Sequence, residues 1–82
     1  MNDTEKRLAL CFANVFPELS DDQIRRASTA SIAAWDSVAH ITLLTSIGEE
    51  FGIDLDFEEF AEANSFAAVL ELVRARSANA GN

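Results

Sequence analysis

The sequence predicts an all-α fold, a small three-to-four-helix bundle with a long first loop. Three observations predict it. Apolar residues recur at spacings of three and four in three separate segments, residues that start or stop helices stand beside those segments, and the composition is that of a folded chain. Of its 82 residues, 49% are hydrophobic and 24% charged, which lies outside the range of disordered chains. That length makes one domain at most, and such a chain buries about 60% of the surface its unfolded form exposes. An enzyme cleft inside so small a core is not expected. The domain is read as residues 1–77 and the end, 78–82, as a disordered tail. No internal repeat is evident.

The first helix is predicted in "NDTEKRLALCFANVFPEL", where Leu8, Cys11, Phe12 and Val15 share one face. Asn2 and Glu5 have the spacing of a capping box, and Pro17 ends the helix. Cys11 falls on the apolar face, so it reads as a small core residue rather than a reactive thiol. The next stretch, "LSDDQIRRASTASIAAW", lacks sustained periodicity, yet Ser20 and Gln23 read as the capping box of a short helix reaching about Ala27. The rest is a long connection. Leu19, Ile24 and Ile32 are the residues able to pin it to a core.

The best-defined element is "DSVAHITLLTSIGEEFG", with Asp36 as N-cap, Ser37 as first helical residue and Gly52 as the stop. Leu43, Leu44, Ile47 and Phe51 form its inner face, and Val38, Thr42, Thr45 and Glu49 the opposite one. Gly48 inside this helix costs about 0.5–1 kcal/mol relative to Ala and marks either a close backbone approach or tolerated drift. Trp35 and His40 occupy the two positions of a hydrophobic staple, which places indole against imidazole. "IDLDFEEFAEA" suits an extended lead-in and a short helix. In "NSFAAVLELVRARSANAGN", Asn64 or Ser65 caps a last helix whose face is Phe66, Val69, Leu70 and Val73. Arg74 and Arg76 fall in its final turn, where positive charge favours the helix dipole.

Six Lys and Arg stand against fourteen Asp and Glu, a net charge of -8, which argues against nucleic acid or an anionic membrane as partner. The acids are unevenly placed. From Ala27 to Val73 there are nine (Asp36, Glu49, Glu50, Asp54, Asp56, Glu58, Glu59, Glu62 and Glu71) and no Lys or Arg. A one-signed field of this kind suits the steering of basic partners or a surface tuned for solubility. One Cys and one His exclude an internal disulfide and a zinc site. Asp54, Asp56 and Glu58 raise calcium, but an EF-hand loop needs glycine sixth and glutamate twelfth, where Glu59 and Ser65 stand. No metal is expected. With no signal-like or membrane-spanning run, the chain is read as a cytoplasmic monomer.

A helix start offers unpaired N–H groups and partial positive charge, so it welcomes a phosphate. Ser37 is placed to hold a phosphoester there, or is simply the first residue of a capped helix. Asp-Ser opening a helix with an aliphatic residue next, the run "LTSIGEEFGIDL", and the closing "SFAAVLELVRAR" resemble the acyl carrier protein family over most of the chain. The long approach "LSDDQIRRASTASIAAWDSVAH" resembles a bacterial branch of carriers outside housekeeping fatty-acid synthesis. Ala39, Thr42 and Gly48, at positions commonly acidic in fatty-acid carriers, agree with a specialised pathway in lipid or secondary-metabolite biosynthesis.

The resemblance implies a non-enzymatic carrier. Ser37 would bear 4′-phosphopantetheine, transferred from coenzyme A by a separate phosphopantetheinyl transferase, with Asp36 capping the helix and helping to position the metal during transfer. The arm's thiol would carry acyl or aminoacyl groups as thioesters. Val38, Thr42, Thr45, Glu49, Glu58, Glu59 and Glu62 would meet basic patches on acyl-activating, condensing or acyl-transfer enzymes. An unmodified acidic interaction module is the alternative that the residues leave open.

Overall fold

The computed structural model describes residues 3–80 and is an all-α bundle. Its helices are α1 (Asp3–Val15), α2 (Asp21–Arg25), α3 (Ser37–Phe51), α4 (Phe57–Glu62) and α5 (Phe66–Ala80). Three are long and two are short. The proposed cap Asn2 lies outside the described residues, whereas the second capping box is complete: Gln23 N–H donates to Ser20 Oγ and Ser20 N–H to Gln23 Oε1. α2 stops at Arg25, two residues before Ala27. At α5, Ser65 rather than Asn64 supplies the cap, its Oγ accepting from Ala68 N–H.

The predicted inner faces meet in one core. Leu8, Cys11 and Phe12 of α1, Ile24 of α2, Leu43 and Ile47 of α3, Phe60 of α4 and Phe66, Val69, Leu70 and Val73 of α5 are all buried. Aromatic rings fill its centre. Phe12 stands edge-on to Phe66 at 5.1 Å and to Trp35 at 5.3 Å, with Phe16 6.1 Å from Trp35, geometries that favour ring quadrupoles. Leu44 and Phe51 are only partly buried, at the edge of this cluster.

The long α2–α3 connection is held at several points. Leu19 and Ile32 pack against the core and Ile24 lies within it. Beyond these pins, Ser28 and Ser65 form an isolated antiparallel bridge, Phe66 N–H donates to the Ala27 carbonyl and Thr29 N–H to the Asn64 carbonyl. This loop is therefore tied to the α4–α5 junction, where its backbone groups find partners.

Gly52 ends α3 in the left-handed region (φ 63°), its N–H returning to the Gly48 carbonyl. A second device comes from α1. Arg7 donates to the Glu50 carbonyl at 2.6 Å and to Glu50 Oε2 at 2.9 Å, and its guanidinium lies 4.6 Å above the Phe51 ring. It thus caps an orphan carbonyl and sets positive charge at the negative end of α3. Gly48 marks a close approach: a Cβ there would stand 3.3 Å from the Ile53 carbonyl oxygen.

Two expectations for the C-terminal segment change. α5 continues to Ala80, into the stretch read as a tail, whose last two residues lie outside those described. Arg74 and Arg76 therefore sit inside the helix instead of in its final turn, and pair sideways. Arg76 meets Glu59, and Arg74 approaches Glu5 at 3.9 Å. Cys11 is 4% exposed, and burial, reinforced by Glu50 and opposed by Arg7, pushes its thiol up to about 11.

Candidate functional site

The site is built at the start of α3. Asp36 leaves the helical path (φ -98°, ψ -172°), and its Oδ1 accepts the Ala39 N–H at 2.9 Å. Its carbonyl accepts the His40 N–H, also at 2.9 Å. The N–H groups of Ser37 and Val38 stand ahead of those bonds, at the open, partially positive end of the helix. Ser37 itself is exposed.

Trp35 and His40 meet as the staple spacing predicts, with ring centroids 5.8 Å apart. The contact is also polar. Trp35 Nε1–H donates to His40 Nδ1 at 2.9 Å, while His40 Nε2 lies 2.7 Å from the Phe60 carbonyl oxygen. Indole N–H only donates and a carbonyl only accepts, so both bonds require the neutral imidazole with its proton on Nε2. The pair thus joins the residue before the cap to α3, and α3 to α4.

Ser37 opens onto a cleft of about 490 Å³ lined by residues that are distant in sequence. Trp35, Asp36 and Ser37 come from the approach to α3, His40 and Ile41 from its first turns, and Phe57 and Ala61 from α4. Thr29 and Asn64 complete it, brought together by their backbone hydrogen bond. Thr29, Ile41 and Ala61 were not singled out by the sequence, and two apolar side chains of the lining are well exposed, Ile41 at 50% and Phe57 at 54%. Ile41 follows Val38 by three residues, a spacing that places it beside the exposed stripe.

The residues expected to meet partners divide into two groups. Val38 (73% exposed), Thr42, Thr45 and Glu49 all lie on the exposed side of α3. The two threonine hydroxyls are turned back, donating to the carbonyls of Val38 and Ile41. Glu58 is exposed at the start of α4, but Glu59 and Glu62 line a groove with Glu71 and Leu72 of α5, and Glu59 is taken by Arg76.

Among the described residues, no three His, Cys, Asp or Glu side chains gather as a metal site. Nor is any described helix long and apolar enough to cross a membrane. No family model, curated protein or solved structure matches the chain.

Proposed function

We propose that the chain is a carrier protein that bears 4′-phosphopantetheine on Ser37 and presents acyl or aminoacyl groups to partner enzymes. The observation that carries this reading is an exposed serine hydroxyl at the capped start of α3, on the lip of a cleft. The residues present fit the group: N–H groups of the helix start favour its phosphate, and the cleft offers room for the part of the arm beyond that phosphate. When bound, the arm supplies a thiol that forms thioesters.

In the transfer, Ser37 Oγ bonds to the phosphorus of coenzyme A's phosphopantetheine half. The pyrophosphate P–O bond breaks, and the adenosine bisphosphate leaves with that electron pair. The hydroxyl proton must pass to a base, since serine is a weak nucleophile by itself. His40 is not placed to take it, because both of its nitrogens are engaged by Trp35 and the Phe60 carbonyl. Base and metal would therefore come from the transferase, with Asp36 holding the helix start through Oδ1 and its second carboxylate oxygen able to help hold that metal. Val38, Thr42, Thr45, Glu49, Glu58 and Glu62 form the surface offered to basic partners, with Glu59 beside them held by Arg76, in a specialised biosynthetic pathway of the cytoplasm. The test is co-expression with a broad-specificity phosphopantetheinyl transferase and then intact-mass measurement. One phosphopantetheine is added to the native chain and none to Ser37→Ala; an unmodified native chain overturns the proposal.

A second reading is an interaction module that is never modified, favoured by the exposure of Val38, Ile41 and Phe57 beside so many acids. That module keeps its partner in Ser37→Ala and gains no mass.

A further inference from the structure

We infer that the cleft beside Ser37 is a berth for the uncharged part of the arm itself, with Thr29 and Asn64 as the positioning residues that bind its amides. The inference rests on the carrier reading and goes beyond it by assigning residues remote from the Asp36–Ser37 pair. The lining is of two chemical kinds. Ile41, Phe57 and Ala61 are apolar, whereas Thr29 and Asn64 add a hydroxyl and a carboxamide. Neither of those two side chains has a hydrogen-bond partner among the described residues, because both residues use their backbones for the bond that holds them together.

Beyond its phosphate, the arm is a chain of amides, a hydroxyl and a geminal dimethyl group. Amides match a carboxamide and a hydroxyl, which donate and accept; the dimethyl group matches Ile41 and Phe57, whose exposure it would relieve. The charge pattern points the same way. No Lys or Arg lines the cleft, and its one acid, Asp36, spends a carboxylate oxygen on Ala39 N–H. A second phosphate or a carboxylate finds no counter-charge there, so the occupant is neutral. The size agrees, since about 490 Å³ lies within the roughly 300–1,000 Å³ of small-molecule sites. The floor is closed by the Trp35–His40–Phe60 hydrogen bonds, so the occupant lies along the surface and the aromatic core below stays intact.

The test compares apo and transferase-modified protein by backbone amide spectra and by the reaction rate of the arm's thiol with a disulfide reagent. Shifts are expected at Thr29, Ile41, Phe57 and Asn64, and Thr29→Val with Asn64→Ala should speed the thiol reaction by about two- to tenfold per lost bond. Both side chains are exposed, so the double variant folds, which its circular dichroism checks. Modification with shifts confined to residues 36–39 and an unchanged thiol rate overturns the berth and leaves the carrier reading standing. Absence of any mass addition at Ser37 overturns both.

Discussion

His40→Phe tests the polar joint that holds the site together. Phenylalanine keeps the ring and removes both nitrogens, so Trp35 Nε1–H loses its acceptor at 2.9 Å and the Phe60 carbonyl loses one donor. The carbonyl is not stranded, because Ala63 N–H also donates to it at 3.0 Å. The indole is: Trp35 is only 3% exposed. A buried donor left unpaired costs about 1–3 kcal/mol and the second lost bond about 0.5–1.5, together about 1.5–4.5 kcal/mol. For a chain of this size, stability is about 0.05–0.15 kcal/mol per residue, so a large share is lost. Urea unfolding monitored by far-ultraviolet circular dichroism measures it. Adding Trp35→Phe completes a double-mutant cycle, with an expected coupling of about 0.5–3 kcal/mol. A His40→Phe chain within about 0.5 kcal/mol of the native one, or zero coupling, refutes the joint.

Further predictions concern the helix ends and the core. Asp36→Ala removes the acceptor for Ala39 N–H and lowers stability by about 0.5–2 kcal/mol in the same urea assay. Asp36→Asn keeps that acceptor, retains most of the stability and, lacking charge for the metal, slows modification of Ser37. Gly52→Ala meets no neighbour within 4 Å yet forces a side chain into φ 63°, for a loss of about 1–2 kcal/mol. For Cys11 the sign comes from a folded value of about 11 against an ordinary 9.0. The fold favours the protonated thiol, so its contribution is whole below pH 9 and is lost as pH rises through 11. The stability difference between native and Cys11→Ala chains should narrow across that window, and at pH 8 the folded thiol should resist a disulfide reagent that it meets in urea.

Features encoded locally were legible. Ser20 with Gln23, and Asp36 with Gly52, are signals read within one helical turn, and each cap forms as expected. The inner faces came from periodicity, because spacing along a helix fixes which side chains point together. What joins distant elements was not legible. Nothing in "STASIAAW" indicates that Thr29 will bond to Asn64, because that pairing is decided by how α5 packs. The staple spacing placed Trp35 beside His40, yet the third partner, the Phe60 carbonyl, belongs to another helix. For the same reason Glu59 read as a free acid, because its pairing with Arg76 depends on how α4 and α5 lie together.

The most direct measurement is the site of modification. Incubate the purified chain with coenzyme A and a broad-specificity phosphopantetheinyl transferase, then locate any added mass by fragmentation. A single phosphopantetheine on Ser37, absent from Ser37→Ala, is the predicted result; a chain that stays unmodified, or is modified elsewhere, contradicts the assignment of Ser37 as the attachment point.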